Sequence, residues 1–229
     1  MFIGIGSSIP EIVNLPGPSS GGGGGGGGGG LAKVNNLYSF EFDGVGTRFH
    51  AGDITALNNQ SAFSTSSWIN YSGTPAESTH VIASGGSSGT NRWWIQLISS
   101  TKIRYGMGGG SGSWDDVTVP SISSGSWNHI VSVQDGTSLD IYLNGIKQNS
   151  SPITARAVNS KIGTKFTIGK YFPDANAYYW YGKLDEIAVW NTALTQEQVE
   201  SIYNATTTGK TADLNALTTV PVAWYRMGD

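Results

Sequence analysis

Two segments of the sequence combine flat aromatic rings with carboxylate or amide groups, the two chemistries that bind sugars. The first, Trp114-Asp115-Asp116, follows a glycine-rich stretch. The second is an aromatic-rich run whose candidate ligand-binding residues are Tyr171, Asp174, Asn176 and Tyr179. Aromatic faces can stack on sugar rings, while carboxylates and amides form hydrogen bonds with hydroxyl groups. We therefore expect a glycan-binding platform at these residues.

The same aromatic residues have a second interpretation. Side chains of a strand alternate between two faces, so about half of the aromatics between residues 171 and 181 should face a core. Tyr and Trp are also enriched at protein interfaces. The sequence therefore leaves two possibilities open, namely sugar binding, and core packing combined with subunit contacts.

Nucleophilic, metal-thiolate and phosphate-binding chemistry find no support in the sequence. The chain has no cysteine, which excludes thiol catalysis, Cys-based zinc sites and disulfides. The three histidines lie in different contexts, and His129 alternates with Trp127 and Val131 on a predicted core face. The glycine-rich stretches 85–89 and 106–112 lack the Lys-Ser/Thr that ends a phosphate-binding loop. We predict no catalytic residues and no enzymatic activity.

The charge of the chain excludes two classes of partner. Lys and Arg number 13 against 16 Asp and Glu, giving a net charge of -3, and the basic residues form no cluster. Nucleic-acid and anionic-membrane partners are therefore not expected. No apolar run approaches the roughly 20 residues of a membrane helix, and residues 1–10 lack the basic start and apolar centre of a secretion signal.

From Leu37 onward, short runs with alternating apolar residues are separated by Gly, Ser, Asn and Pro. Such runs are typical of strands with one buried face in an all-β sandwich. We predict that each alternating set faces a core. The clearest sets are Trp93, Ile95 and Leu97; Ile103, Tyr105 and Met107; Trp127, His129, Val131 and Val133; and Leu139, Ile141 and Leu143.

Two signals predict how particular strands begin or turn. Asn144-Gly145 stands between Leu143 and Ile146, and an Asn-Gly pair tolerates the positive φ angles of a two-residue type I′ turn. We therefore predict a hairpin there. Residues 220–225 predict a last strand, and Pro221 near its start indicates an edge position or a strand beginning.

One short helix is predicted within the β pattern. Thr195 and Gln198 have the spacing of a capping box, in which each side chain bonds the other residue's backbone N–H. Val199, Ile202 and Tyr203 then share one helical face. The helix should run to about Asn204.

Ten consecutive glycines, residues 21–30, divide the chain. A glycine run has no side chains to pack and loses much backbone entropy on ordering, so we expect a flexible linker. Polyglycine helices packed within an oligomer are the alternative. Residues 1–20 contain several large apolar residues in a segment too short for its own core, and we expect them to anchor the chain on other subunits of an assembly. The predicted organisation is an anchoring segment 1–20, a linker 21–30 and a folded domain 31–229.

Five phrases between residues 37 and 204 together resemble the concanavalin A-like jelly rolls of the laminin G-like type. They are Phe42-Asp43-Gly44, residues 63–69, Trp127 to Val131, Asp140 to Gly145, and residues 184–195. Their order and spacing carry the resemblance. It implies an all-β, antiparallel jelly-roll β-sandwich, here with one short helix and a glycine-rich N-terminal tail, whose concave sheet and rim loops are available for ligands.

The resemblance also implies a calcium site. Members of this family often hold one Ca²⁺ at the edge of the sandwich through carboxylate and backbone oxygens. By position, the resemblance nominates Asp43, Gly44 and Asp185 as ligands. The alternative is that Asp185 bonds backbone groups at a strand start, because two carboxylates fall short of the roughly 6 to 8 oxygens that Ca²⁺ takes.

Glucanases of the same superfold carry Glu-x-Asp-x-x-Glu on one strand, and this sequence only begins that pattern. Glu41-Phe42-Asp43 supplies the first two acids, whereas position 46 is Gly. A retaining glycosidase needs two carboxyl groups about 5 to 5.5 Å apart, one with a raised pKa. We expect Glu41 and Asp43 to be exposed residues of an early strand without a catalytic role.

The C-terminal end departs from the family pattern. Such domains usually open with an apolar-Ala-Trp-Tyr strand, which here is Val222 to Tyr225 at the end of the chain. We expect this strand to close the same sandwich from the other terminus, the alternative being the start of another domain. The phrase from Trp224 to Asp229 and the glycine-rich flank are similar to structural proteins of marine bacteriophages.

These features together predict a non-enzymatic structural or adhesion module of a virion or extracellular assembly. It should be oligomeric, bind other subunits through residues 1–20, and take cell-surface glycans as ligands at the virion surface or outside the cell. A free calcium-dependent carbohydrate-binding lectin is the alternative, followed by a glycan-active hydrolase.

Overall fold

The computed structural model describes residues 30–77, 79–86, 92–108, 114–151, 153–155, 161–171 and 178–229. The predicted anchoring segment 1–20, nearly all of the linker, and the candidate ligand residues Asp174 and Asn176 lie outside this part of the chain. The described residues form sixteen strands and one α-helix, α1 (Gln196–Ala205). The strands are β1 Lys33–Asn35, β2 Phe40–Asp43, β3 Phe49–Gly52, β4 Phe63–Tyr71, β5 Val81–Gly86, β6 Arg92–Ser99, β7 Lys102–Met107, β8 Trp114–Thr118, β9 Asn128–Gln134, β10 Ser138–Leu143, β11 Ile146–Lys147, β12 Ile153–Thr154, β13 Phe166–Ile168, β14 Tyr181–Trp190, β15 Lys210–Ala212 and β16 Ala223–Tyr225.

The strands form an antiparallel sandwich, as predicted. One sheet has the order β11-β10-β9-β4-β14-β16, with β2 also paired to β14 and β12 to β10. The other sheet has six strands in the order β3-β13-β5-β6-β7-β8. A small third sheet pairs β1 with β15. The fold is therefore an all-β jelly roll with a single α-helix among the described residues.

The main core lies between the two large sheets. The predicted alternating sets of β6, β7 and β10 all point into it, with Leu97, Ile103 and Ile141 completely buried. Phe63, Trp93 and Phe166 fill its centre with edge-on and stacked ring contacts. Because one face of each sheet is committed to this core, every second residue of each strand faces away from it.

A second apolar cluster lies on the other side of the eight-stranded sheet, under α1. Val199 and Ile202 of the helix pack there against Val131 and Val133 of β9. The set that begins at Trp127 is therefore buried as predicted, but beneath the helix rather than between the sheets. The sequence pattern is the same in both cases because each face of β9 is covered. No helix in the described part of the chain is long and apolar enough to span a membrane.

The local predictions for the hairpin and the helix are confirmed. Leu143 pairs with Ile146 across the turn, where Asn144 and Gly145 have φ values of 52° and 80°. The Asn144 amide also bonds the strand beside it, because its Oδ1 accepts from the His129 N–H at 2.8 Å. At α1, Thr195 and Gln198 form both bonds of the capping box.

The C-terminal strand closes the same sandwich. β16 pairs antiparallel with β14, so that Trp224 lies opposite Ala188 and Tyr225 opposite Ile187. The last residue, Asp229, accepts hydrogen bonds from the backbone N–H groups of Leu37 and Tyr38. The segment before β2 and the C-terminal segment are therefore bound to each other in one domain.

Candidate functional site

A cleft of about 410 Å³ lies on the outer face of the six-stranded sheet. Its position follows from the strand alternation, because Trp93 and Ile95 face the core and their neighbours face outward. The cleft falls within the size range of ligand pockets, about 300 to 1,000 Å³. The described residues that line it are Glu77, Trp94, Gln96, Arg104, Trp114, Tyr171 and Tyr178.

Trp94 forms the floor of the cleft. It stands opposite Gly106 of β7, and its ring lies so close to this glycine that a Cβ added there would overlap the indole. Gln96, two residues further along β6, is fixed by two hydrogen bonds from its Nε2, to the carbonyls of Glu77 at 2.9 Å and Thr79 at 2.7 Å. The floor is thus held in one arrangement before any ligand arrives.

One wall of the cleft is a charged network centred on Arg104. Its Nε donates to Asp116 Oδ1 at 2.6 Å and its Nη2 to Asp116 Oδ2 at 2.9 Å, the paired geometry of a strong guanidinium–carboxylate contact. Nη2 also reaches Glu77 Oε1 at 3.2 Å. The hydrogen bonds and charge of Asp116, with a further contribution from Glu77, raise the pKa of Arg104 above its ordinary value.

Trp114 stands beside this network at the edge strand β8. The Arg104 guanidinium lies 4.9 Å from the centre of its ring. With 37% of its surface exposed, Trp114 still presents a large apolar area to solvent. A cation held near an indole ring fixes the ring's position, which favours stacking on a ligand.

The opposite wall consists of two tyrosines. Tyr171 packs edge-on against Trp94 with ring centres 5.0 Å apart, and Tyr178 lies 5.1 Å from Tyr171. The guanidinium of Arg92 lies near both Trp94 and Tyr171, at 5.6 and 5.7 Å. The cleft therefore combines aromatic surfaces on two sides with carboxylate oxygens on one.

Of the residues predicted to bind a ligand, Trp114 and Tyr171 line the cleft, and Asp116 is bonded to the lining residue Arg104. Asp115 alternates to the other side of β8, the side of the buried Val117. Tyr179 is half-buried beside the Lys170 ammonium, 5.2 Å from its ring centre, and is not a lining residue. A ligand role for all of these residues stays a prediction.

Four lining residues were not predicted from the sequence, namely Glu77, Trp94, Gln96 and Arg104, whereas Tyr178 belongs to the predicted aromatic-rich run. Trp94 and Gln96 had a usable signal, because they alternate with the predicted core residues of β6. Glu77 had none, since it lies in a loop and reaches Arg104 only through the fold.

The three predicted calcium ligands do not converge on one site. Asp43 pairs with Tyr181, whereas Asp185 is four residues further along β14, a separation of about 13 Å at the usual rise of a strand. Asp43 Oδ1 instead accepts from the N–H groups of Val45, Gly46 and Thr47, each at 2.9 Å. These bonds hold the pKa of Asp43 well below its usual range.

Asp185 is completely buried and unsuited to share an ion with Asp43. Its Oδ1 accepts from the N–H of Glu186 at 2.8 Å, and Oδ2 has no hydrogen-bond partner among the described residues. Burial, and then the nearby Glu186, raise the pKa of Asp185 well above its ordinary value. Within the described ranges, no three His, Asp or Glu side chains gather closely enough to hold a metal ion.

Glu186 is the centre of a buried polar cluster that binds the two ends of the domain together. It accepts hydrogen bonds from Asn36 at 3.1 Å, Thr211 at 3.0 Å, the indole N–H of Trp224, and Arg226 at 3.4 Å. Burial raises the pKa of Glu186 to about 6, although Arg226 opposes this change. The cluster joins β16 to the segments around β1 and β15, so its role is structural.

The remaining candidates for chemistry are also accounted for by the fold. His129 is completely buried, bonds Ser66 Oγ at 2.7 Å and stacks on Trp68, and burial lowers its pKa to about 3. Glu41 and Asp43 are exposed on β2, with Phe42 between them in the core, as predicted.

Comparison with known proteins agrees with this architecture. A family model described as the concanavalin A-like lectin/glucanases superfamily matches residues 43–200. The comparison with curated proteins gives no match.

Three solved structures illustrate the likeness in fold. Domain 4 of AbnA, an extracellular GH43 arabinanase from Geobacillus stearothermophilus solved with arabinotriose, has a TM-score of 0.56 at 23% identity, over 77% of this chain and 82% of that one. The CBM40 of a Ruminococcus gnavus IT-sialidase, bound to α2,3-sialyllactose, has a TM-score of 0.59 at 11% identity, over 76% and 100%. A heptameric SAP-like pentraxin from Limulus polyphemus has a TM-score of 0.53 at 19% identity, over 76% and 90%. At these identities, the likeness shows the fold alone.

Proposed function

Since the chain belongs to the concanavalin A-like lectin/glucanase superfamily, we propose that it is a non-enzymatic glycan-binding module whose ligand occupies the cleft on the six-stranded sheet. The observation that carries this proposal is the exposed Trp114 beside the Arg104–Asp116 ion pair. The Trp114 ring can stack on a sugar, and the carboxylate oxygens of the ion pair beside it can accept hydrogen bonds from sugar hydroxyl groups. Two structural neighbours solved with different oligosaccharides make a sugar the first ligand class to test.

The direct test is a glycan array, followed by titration calorimetry of each ligand that binds. We expect Trp114→Ala to weaken binding about tenfold or more, because it removes the exposed stacking ring. The matched control is Tyr181→Ala, which removes a comparably exposed aromatic from the eight-stranded sheet. Equal effects of the two substitutions would contradict a ligand in the cleft.

Hydrolysis is the alternative function, and it needs a pair of carboxylates at the correct separation. Glu41 and Asp43 match the first two acids of the glucanase motif. The backbone N–H groups that bond Asp43 lower its pKa, whereas a catalytic acid needs a raised one. We expect Glu41→Gln and Asp43→Asn to leave any trace hydrolysis by a preparation unchanged. Loss of a robust turnover with either change would establish an enzyme instead.

The proposed setting is a virion or another extracellular assembly, in which the module serves decoration or adhesion. It rests on the apolar segment 1–20, the glycine run after it, and the resemblance of both chain ends to phage structural proteins. Mass spectrometry of purified virions and secreted fractions tests it directly. Detection of the chain only as a free protein in a secreted fraction would favour the free lectin.

Calcium dependence is the part of the proposal that rests on the resemblance alone. An ion that binds only the folded state raises the melting temperature by mass action. A rise in millimolar calcium that chelator reverses would support a site, and Asp43→Asn would locate it. A melting temperature that changes with neither calcium nor chelator would contradict a calcium site.

A further inference from the structure

The charges at the cleft determine whether it favours neutral or acidic sugars. Among the described lining residues, Arg104 is the one cation, and it contacts two carboxylates, Asp116 and Glu77. One positive charge therefore faces two negative ones. The network has a net negative charge although it contains an arginine.

The Arg104 guanidinium is hydrogen-bonded to both of these acids. Both oxygens of Asp116 accept from it, at 2.6 and 2.9 Å, and its side chain is only 11% exposed. A ligand carboxylate would have to displace Asp116 or lie beside two like charges. Either change is unfavourable, because removing one partner of a largely buried ion pair leaves an uncompensated charge.

The other cations near this face are not lining residues of the cleft. Arg92 donates from Nε to the Gly108 carbonyl at 2.8 Å and lies beside the rings of Trp94 and Tyr171. Lys170 is 2% exposed, with its ammonium near Tyr179. Lys102 is two residues from Arg104, opposite Thr118, and is not a lining residue.

The segments that border the cleft in sequence add no positive charge. Residues 87–91, 109–113 and 172–177 contain neither Lys nor Arg, and their one charged residue is the acid Asp174. Whatever their placement, these segments cannot supply a counter-ion for an acidic sugar.

The carboxylates instead suit a ligand that donates. An ionised carboxylate has about four acceptor positions, of which Arg104 occupies two on Asp116 and one on Glu77. Sugar hydroxyls can donate to the remaining positions while the ring stacks on Trp114. We propose that the cleft selects uncharged pentose or hexose residues over sialic and uronic acids, with Asp116 and Glu77 accepting from hydroxyls and Arg104 holding both in place. This inference rests on the proposed glycan-binding function.

The test compares two ligand panels on the full chain by titration calorimetry. One panel contains neutral pentose and hexose trisaccharides, and the other contains trisaccharides of matched length that end in sialic or glucuronic acid. We expect the best neutral ligand to bind at least tenfold more tightly than any acidic one. A preference for acidic ligands would overturn the inference and leave glycan binding intact, whereas no binding in either panel would overturn both.

Substitutions then test the acceptor role. Glu77→Gln changes a side chain that is 76% exposed, so the fold should tolerate it, and we expect about threefold to tenfold weaker neutral binding. The double variant E77Q/D116N frees Arg104 from both acids and should invert the preference towards the acidic panel. Glu41→Gln, at an exposed acid on β2 of the eight-stranded sheet, is the matched control and should leave both affinities unchanged. Thermal melting verifies that both variants are folded. If the folded variants kept the preference of the unmodified protein for neutral over acidic trisaccharides, the proposal would be contradicted.

Discussion

Trp94 lies so closely over Gly106 that the floor of the cleft depends on a position without a side chain. Gly106→Ala should therefore force the indole off the sheet and destabilise the domain by about 1 to 3 kcal/mol, as overpacking does. Glycan affinity should fall as well, because Tyr171 packs on the same ring. Thermal melting and calorimetry measure the two effects.

The matched control for this substitution is Gly46→Ala. A Cβ at Gly46 would meet no atom within 4 Å, so the change should be nearly neutral for stability and binding. If Gly106→Ala also left both quantities unchanged, Trp94 would not be the fixed floor that we describe.

Glu186 gives stability a dependence on pH with a definite sign. Its pKa is raised from 4.5 to about 6 in the folded protein, so folding is favoured while the carboxyl is protonated. The associated stability is fully present below about pH 4.5 and is lost as the pH rises through about 6, amounting to about 2 kcal/mol. Urea unfolding at several pH values measures this slope, to which the raised pKa of Asp185 contributes in the same direction.

Glu186→Gln should reduce that slope. Asp135→Asn removes a carboxylate whose pKa is lowered by the N–H groups of Ser138 and Thr137, so it should leave the slope between pH 4.5 and 6 unchanged. The lowered pKa of Asp43 acts in a different range, since its contribution is lost only below about pH 3.8. An equal slope between pH 4.5 and 6 with and without the Glu186 carboxyl would contradict the assignment.

Single residues of the cleft could be predicted only where composition made them conspicuous. Trp114 and Asp116 stand out as an aromatic next to acids after a glycine-rich stretch; Trp114 lines the cleft and Asp116 bonds Arg104, which lines it. Arg104 did not stand out, because its importance comes from Asp116 on the neighbouring strand and Glu77 in a distant loop. Likewise, no local signal places Asp185 inside the protein, away from Asp43.

At the scale of elements, β16 is held by pairing and by its contacts with Glu186. Trp224 donates its indole N–H to this buried carboxylate. Trp224→Phe keeps an aromatic ring but removes the donor, so we expect a loss of about 1 to 3 kcal/mol in unfolding free energy. Chemical denaturation measures it.

Trp114→Phe serves as the control for that experiment. It makes the same chemical change at an exposed ring and should alter stability by no more than about 0.5 kcal/mol. Equal costs at the two positions would show that the Glu186 cluster does not hold the C-terminal strand.

Elements were predictable where a local rule determines them. The Asn144-Gly145 turn and the Thr195 capping box depend on residues adjacent in sequence, and both have the expected geometry. The alternation of apolar residues identifies which faces are buried but not which element covers them. The face of β9 that carries Val131 was therefore predicted to be buried, but the helix that covers it was not predicted. The partner of a strand is set by contacts distant in sequence, so the resemblance suggested only that β16 would close the same sandwich, and not that it would pair with β14.

At the scale of the whole molecule, the described contacts of the sandwich begin at about residue 31, where Leu31 packs against the cluster under the helix. Ala32 accepts a backbone hydrogen bond from Asp213 at 2.7 Å, and β1 pairs with β15 from Lys33 onward. Removal of residues 1–30 should therefore leave a folded, soluble sandwich with an unchanged melting temperature. Light scattering after size exclusion should show a smaller oligomer than that of the full chain, because the proposed anchor is absent.

The truncated protein should also fail to enter the assembly that contains the full chain. Normal incorporation would mean that the anchor lies on the jelly roll itself. Unfolding of the truncated protein would mean that residues 1–30 are part of the domain.

The most direct test of the central claim is to follow the indole N–H resonances of the eight tryptophans by NMR during titration with the tightest-binding neutral trisaccharide. We predict that the resonances of Trp114 and Trp94 shift with a common saturation curve, because both rings line the cleft. Those of Trp190 and Trp224, on the eight-stranded sheet, should not move. Shifts confined to Trp190 and Trp224, with Trp94 and Trp114 unchanged at saturation, would contradict a sugar site on the six-stranded sheet.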